Sequence, residues 1–299
     1  MSEKKLIVVA GPTAVGKTAV SLRLAEHFQT AIVSADSRQI YREMTVGTAK
    51  PTTEERGRVT HYFIDTHSVG EDYDAARYSE EALETIRSLH KTHDQVIVCG
   101  GSGLYIRALC EGLDEIPAVP DEIRQGLMKN LEEKGLAWLQ HQMLEIDPET
   151  FGQIDQQNPH RLIRALEVKL YTGKSILAYR TNTKRKHLFE IVKIGLDLPR
   201  EELYARIDER MDQMIADGLF EEAHRLYPFR NFNALQTVGY QEIFGFIENA
   251  YDLEECVRLL KRNSRRYAKR QLTWFRKDPE FTWFNPRGID AIIAHIERK

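Results

Sequence analysis

Gly11-Pro12-Thr13-Ala14-Val15-Gly16-Lys17-Thr18 satisfies the phosphate-loop pattern G-x-x-x-x-G-K-[ST] at every fixed position. Its flanks agree with it. Leu6 to Ala10 is a short, wholly apolar run of the kind that forms a buried parallel strand. Beyond Thr18, Val20, Leu22, Leu24, Ala25 and Phe28 recur at mostly helical spacing. Strand, glycine turn and helix start thus follow in the order an anion cradle needs. Gly11 and Gly16 permit a tight turn, Lys17 brings a full positive charge and the helix start a partial one. The Thr18 hydroxyl is a candidate magnesium ligand. The loop predicts binding of a polyphosphate or pyrophosphate.

With 299 residues, 42% hydrophobic and 29% charged, the chain has the composition of a globular protein with one large α/β core and room for an insert. No apolar run is long enough to span a bilayer, and the N-terminus leads straight into the first strand, so a cytoplasmic protein without a signal peptide is expected. Cys99, Cys110 and Cys256 are scattered and read as reduced thiols rather than a disulfide or zinc site. The net charge of −3 announces no nucleic-acid partner, so any basic surface has to be local.

Ala31-Ile32-Val33 reads as a second strand running into Ser34-Ala35-Asp36-Ser37-Arg38-Gln39. Residues just past the carboxyl ends of parallel strands line the ligand crevice, which sets Asp36 beside the phosphate loop. An acid there serves as metal ligand, as general base or merely as the cap of the next helix. Further strands are expected at 62–65, at 96–99 and at 189–196, the last closing the sheet; a helix is expected over 75–92. The 96–99 strand ends in Gly100-Gly101-Ser102-Gly103, either a tight turn or a close approach of backbone to ligand. It lacks the strand-end aspartate that many nucleotide hydrolases use for magnesium.

From Ile116-Pro117-Ala118-Val119-Pro120 the chain turns helical and highly charged. The predicted organisation is an α/β, P-loop NTPase-like parallel sheet flanked by helices over 1–116 and 186–299, with a helical insertion domain at 117–185. Within the insert, His160, Arg161 and Arg164 open an amphipathic helix after Asn158-Pro159. Later, Arg206 and Arg210 lie one turn apart on a helix over 201–217, where they either grip a diphosphate or pair with neighbours such as Glu202 and Asp212. Gln236-Thr237-Val238-Gly239-Tyr240-Gln241 reads as a short loop before another helix.

The last long helix, over 253–277, carries nine Lys and Arg residues and no acid from Arg258 to Lys277. Arg258, Arg262, Arg266 and Arg270 form one row, and Lys261, Arg265 and Lys269 the row beside it. Val257, Leu260, Tyr267 and Ala268 fall opposite and face the core. A solvated face normally mixes both signs, so this one favours a phosphate backbone as partner. Tyr267, Trp274 and Phe275 are either base-stacking or core residues.

The phosphate loop, Ser34 to Tyr41, Gly47-Thr48-Ala49-Lys50-Pro51, Gly100 to Tyr105, Asn158-Pro159-His160-Arg161, Val238-Gly239-Tyr240 and Ala268 to Trp274 together resemble the tRNA dimethylallyltransferase (tRNA isopentenyltransferase) family. The resemblance spans nearly the whole chain, in motif order. It implies transfer of a dimethylallyl group from dimethylallyl diphosphate to N6 of the adenine 3′ of the anticodon, in tRNAs reading codons that begin with U. Diphosphate is the other product, and magnesium the implied cofactor, with Thr18 as its ligand. By the same resemblance Asp36 is the general base, and Asp36, Ser37, Arg38 and Gln39 meet the flipped-out base. Gly11 and Thr13 to Thr18 (Thr13, Ala14, Val15, Gly16, Lys17, Thr18) cradle the diphosphate together with Arg206. Ser102, His160, Arg161, Arg164, the stretch Gln236 to Gln241, and Arg262, Arg266, Lys269 and Arg270 are expected at the tRNA anticodon stem-loop. The absence of a Cys/His tail makes it look like the bacterial form, expected as a monomer. Two rivals stand beside it: a small-molecule kinase using the loop for ATP, and a non-catalytic RNA-binding module.

Overall fold

The structure, a computed structural model, describes residues 4–181 and 183–299. It divides into two compact units, Met1–Glu111 with Lys186–Lys299, and Gly112–Arg185. In chain order the first passage comprises β1 (Lys5–Ala10), α1 (Lys17–His27), β2 (Ile32–Ser34), α2 (Thr53–Arg58), β3 (His61–Tyr62), α3 (Ala75–Leu89), β4 (Gln95–Gly100) and α4 (Gly103–Glu111). The second unit holds α5 (Asp121–Ile146), α6 (Pro148–Gln153) and α7 (Pro159–Thr172). The chain returns with β5 (Glu190–Leu196), α8 (Arg200–Ala216), α9 (Leu219–Leu226), α10 (Tyr240–Ile247), α11 (Leu253–Phe275), β6 (Thr282–Phe284) and α12 (Ile289–Arg298).

The sheet order is β3-β2-β4-β1-β5-β6, and every pair is parallel. β1 lies near the middle with β4 and β5 on either side, which explains why it reads as an unbroken apolar run rather than an alternating one. Its alternate residues feed two cores. Leu6, Val8 and Ala10 pack with Tyr78, Ala82 and Ile86 of α3 and Leu109 of α4. Ile7 and Val9 pack with Val20 and Leu24 of α1 and Ile292 and Ile296 of α12. Each fully buried aliphatic side chain contributes about 1.5–3 kcal/mol to such a core.

The sheet does not close at β5. β6 adds a sixth strand beyond it, with Ile194 opposite Thr282 and Leu196 opposite Phe284. Three half-exposed residues carry too little periodicity to be read as a strand; the neighbour supplies the pairing. Gly195 serves that edge, since a Cβ there would meet the Trp283 indole at 2.7 Å. The strand expected at 62–65 is a two-residue edge, His61–Tyr62.

The second unit has its own core of Leu127, Leu139, Met143, Leu162, Ile163 and Leu166. Local signals set its helix ends: the side chains of Asp147 and Asn158 accept from the Thr150 and Arg161 amides, with Pro148 and Pro159 in the first turns. Gly173, at φ 72°, ends α7, and α5 is interrupted at Gly135, φ 78°. No helix among the described residues is long and apolar enough to cross a membrane.

Candidate active site

The carboxyl ends of β1, β2 and β4 converge at the phosphate loop. The loop turns through Gly11 at φ 155°, Ala14 at φ 62° and Gly16 at φ 105°. Gly11 is required twice over, because a Cβ there would also lie 2.7 Å from the Leu196 carbonyl of β5. Val15 is fully buried among the sheet's apolar residues, so it can offer a ligand only its backbone. The Lys17 ammonium donates to the Gly11 and Pro12 carbonyls at 3.0 and 2.8 Å, which folds it back across the loop. Burial lowers its pKa to about 8; the charge of Arg210 adds to the fall, while Cys99 and Asp36 oppose it.

Asp36 follows β2 and both caps and projects. Its Oδ1 accepts from the backbone amides of Arg38 at 2.9 Å and Gln39 at 3.3 Å, which closes the turn. No helix begins there, so this is a turn rather than a helix cap. Ser102, past β4, braces the same turn: its hydroxyl accepts from the Ser37 amide at 2.9 Å and donates to the Ser37 hydroxyl at 3.1 Å. Gln39 donates to the Thr48 and Ala49 carbonyls, both at 3.2 Å, and accepts from the Ser34 hydroxyl at 3.3 Å.

The glycines at the end of β4 and just past it are required by internal packing. A Cβ on Gly100 would lie 2.1 Å from the Ala35 carbonyl, one on Gly101 2.4 Å from the Gln271 amide nitrogen, and one on Gly103 2.3 Å from the Trp274 indole. Gln271 is a residue that sequence reading missed. Buried on α11, it accepts from the Thr13 amide at 2.8 Å and donates to the Gly101 carbonyl at 2.9 Å, tying the basic helix to the phosphate loop. It lies within the Ala268 to Trp274 motif, but nothing in the sequence signals these two partners.

A cavity opens between these elements. Its lining combines the polar Thr13, Asp36, Arg38 and Arg210 with the apolar Ala14, Ile207, Met211, Met214, Leu219 and Val238. Gly47, Thr48, Thr237, Gly239, Ser264 and Tyr267 complete the lining. A second, smaller cavity joins Lys17, Thr18, Ser34, Asp36 and Gln39 with Ile32, Pro51, His61 and Ile64. Asp36 lines both. Among the described residues Arg206 and Arg210 form no ion pair with the helix's own acids: Glu202 pairs with Arg287, Asp208 with Arg265 and Asp212 with Lys261. Arg206 reaches toward Gly16, and Arg210 sits enclosed beside Asp36, where burial lowers its pKa against the pull of that carboxylate.

Several sequence expectations change here. Tyr240 is fully buried, and its hydroxyl donates to Glu222 at 2.7 Å, so its side chain cannot meet tRNA. Gly239 and Tyr240 already belong to the start of α10, while Gln236 and Gln241 are exposed and bonded to each other at 2.6 Å. Arg164 is held by the buried Glu167 at 2.6 Å, whereas His160 and Arg161 are exposed. On α11 the row of Lys261 and Arg265 is not open to a partner, because Asp212 and Asp208 of α8 neutralise it at 2.6 and 2.5 Å. Arg258 pairs with Glu255 of its own first turn. Arg262 donates to the Asn263 side chain, Arg270 lies over the Tyr267 ring, and Arg266, Lys269 and Arg270 are exposed. The buried stripe is Cys256, Leu260, Ser264, Ala268, Gln271 and Phe275; Val257 and Tyr267 are only half-buried, and Trp274 is exposed.

A phosphate loop, a carboxylate beside it and apolar side chains lining one cavity are the features of a group-transferring P-loop enzyme. The model of the family described as IPP transferase matches residues 39–278. The chain is 53% identical over 296 residues to the tRNA dimethylallyltransferase of Cytophaga hutchinsonii, covering 99% of this chain and 97% of that one. It is 48% identical to that of Christiangramia forsetii, with 98% of each covered. Among solved structures, the tRNA isopentenylpyrophosphate transferase of Bacillus halodurans superposes with a TM-score of 0.73 at 37% identity, over 99% of this chain and 96% of that one. A eukaryotic dimethylallyltransferase acting on tRNA gives 0.71 at 26% identity, over 91% and 69%. The chain belongs to the tRNA dimethylallyltransferase family.

Proposed function

We propose that the protein moves the dimethylallyl group of dimethylallyl diphosphate onto N6 of the adenine 3′ of the anticodon, with Asp36 as general base. The observation that carries this is the division of labour in the Asp36 carboxylate. Oδ1 is engaged by the Arg38 and Gln39 amides, while Oδ2 accepts no hydrogen bond among the described residues, and Asp36 is one of the residues lining the cavity. An exocyclic adenine amine is a poor nucleophile, since its lone pair is delocalised into the ring. A fixed carboxylate oxygen at that nitrogen takes the proton as the new C–N bond forms. The allylic C–O bond breaks, and the leaving diphosphate carries the charge away. The loop amides, Lys17 and Arg206 stabilise that charge, with Arg210 beside Asp36 in the cavity lining.

The apolar lining residues Ile207, Met211, Met214 and Leu219 suit a branched hydrocarbon, and Met adapts to its shape. They also exclude water, which would otherwise capture the allylic carbon. Magnesium fits at Thr18, whose hydroxyl is a hard oxygen ligand on the residue next to the Lys17 cation in the smaller cavity's lining. When bound, it supplies charge neutralisation to the diphosphate. On the RNA side, Ser37, Arg38, Gln39 and Ser102 would meet the extruded base, and Thr237 to Gly239 would line its path. The exposed Arg266, Lys269 and Arg270, with Arg262, and His160 and Arg161 in the second unit, would take the stem-loop phosphates.

The test is incubation with undermodified tRNA and radiolabelled dimethylallyl diphosphate. Label is expected on the tRNA, with no stimulated ATP turnover. Rapid ATP hydrolysis with the label left on its diphosphate would return the chain to the kinase reading.

A further inference from the structure

Glu222 of α9 is almost fully buried, yet it accepts four hydrogen bonds. Its Oε2 takes the Thr45 and Val46 amides, both at 2.9 Å, and its Oε1 takes the Gly47 amide at 2.8 Å and the Tyr240 hydroxyl at 2.7 Å. A carboxylate saturated by three successive backbone amides is a clamp on that backbone. Tyr240 tightens it by packing its ring against Gly47, where a Cβ would lie 2.6 Å from the ring. The clamped turn, Val46–Thr48, contributes Gly47 and Thr48 to the main cavity wall.

The same turn holds Gln39. Its two amide hydrogens go to the Thr48 and Ala49 carbonyls, which fixes the carboxamide with its nitrogen toward the loop. Oε1 therefore faces the other way, accepts once from Ser34 and keeps one lone pair. Gln39 and Asp36 both line the smaller cavity, so two acceptor-bearing side chains share it. An amine donates to two acceptors; a carbonyl in its place would face only repulsion.

We infer that Glu222 and Tyr240 are positioning residues that, by clamping the turn Val46–Thr48, hold Gln39 as an acceptor and so select a base bearing an exocyclic amine. The inference rests on the reading of the cavity as an adenine acceptor site. Neither residue touches the substrate. Their effect passes through the Thr48 and Ala49 carbonyls to one side chain. In Glu222→Gln an amide nitrogen faces donors it cannot accept from, the turn shifts and Gln39 is freed to flip. Tyr240→Phe keeps the ring against Gly47 and removes one of the four bonds.

The experiment measures affinity for two anticodon stem-loops, one with adenine at the target position and one with purine, which lacks only the amine. The wild-type protein is expected to prefer adenine. In Glu222→Gln that preference falls roughly five- to tenfold, the scale of one lost hydrogen bond, and in Tyr240→Phe roughly two- to threefold. Both variants still bind dimethylallyl diphosphate, which a general loss of structure would not allow. If Glu222→Gln fails to fold by its melting curve, Tyr240→Phe carries the test alone. A folded variant with the full wild-type preference overturns the inference. A wild-type protein that binds both stem-loops alike overturns the adenine-site reading itself, a different result from the first.

Discussion

The phosphate loop and helix α11 were both marked by sequence, one by a motif and the other by a charge pattern, and they fared differently. The loop's partners lie within its own span: Lys17 bonds to carbonyls five and six residues away, and the backbone turns at Gly11 and Gly16. Helix α11 opens an acid-free stretch from Arg258 to Lys277, yet two residues of its basic face, Lys261 and Arg265, are neutralised by acids from another helix. A motif that closes on itself carries its own environment. A charged face does not, because the opposite charge arrives through space. The part of α11 left open to a partner is therefore narrower than its sequence suggests: Arg266, Lys269 and Arg270, with Arg262, but not Lys261 and Arg265.

The largest effect should come where turn and chemistry share one side chain. Asp36→Asn keeps an Oδ1 acceptor for the Arg38 and Gln39 amides, so the turn and the melting temperature should survive. Single-turnover transfer should fall by roughly two to four orders of magnitude, the range for a positioned general base. Near wild-type transfer would reduce Asp36 to a turn-former and leave the loop half of the comparison without its chemistry.

Lys17 comes next. Lys17→Ala should weaken donor binding or slow transfer by about ten- to a hundredfold, as expected when a charged group on a phosphate is removed. The pH dependence sharpens this. Burial holds the ammonium at about 8, and the charged form is the one that binds diphosphate. The free protein loses that charge as pH rises through 8, so donor affinity should fall above it, by up to about tenfold per pH unit. An arginine at 17 stays charged, so titration calorimetry of Lys17→Arg should show no such decline. A flat wild-type profile to about pH 9.5 would mean the lysine is not acting as a buried cation.

The smallest effect divides α11 itself. Removing Arg266 and Arg270 should weaken tRNA binding and lower the slope of log affinity against log salt by about one for each phosphate no longer neutralised. Removing Lys261 and Arg265 should leave that slope alone and cost about 0.5 kcal/mol of stability per pair, since these partly exposed bridges face Asp212 and Asp208. Equal salt slopes for the two double variants would erase the distinction between the rows.

Much of the fold was legible because it is written in local patterns. The central strand, the apolar side of α3 (Ala75, Tyr78, Ala82, Ile86, Leu89) and the capped, proline-started helices of the second unit all state their structure within a few residues. The misses share a cause. β6 is three half-exposed residues made a strand by β5, Tyr240 looks like a loop residue until Glu222 claims its hydroxyl, and Gln271 is an ordinary helix residue until Thr13 and Gly101 meet it.

By itself the sequence determined a parallel α/β core around a phosphate loop, an acid at the end of the second strand, and a helical stretch interposed between two parts of that core. Each arises from the run of residues along the chain: apolar periodicity, glycine where the backbone must turn, proline and asparagine where helices begin. Only the tertiary structure decided that Arg210 stands beside Asp36, that methionines from α8 wall the cavity, that Asp208 and Asp212 silence one row of α11, and that Glu222 clamps the turn holding Gln39. Those pairings join residues up to 177 positions apart, and hydrogen bonds and charges act over a few ångströms of space whatever the separation along the chain.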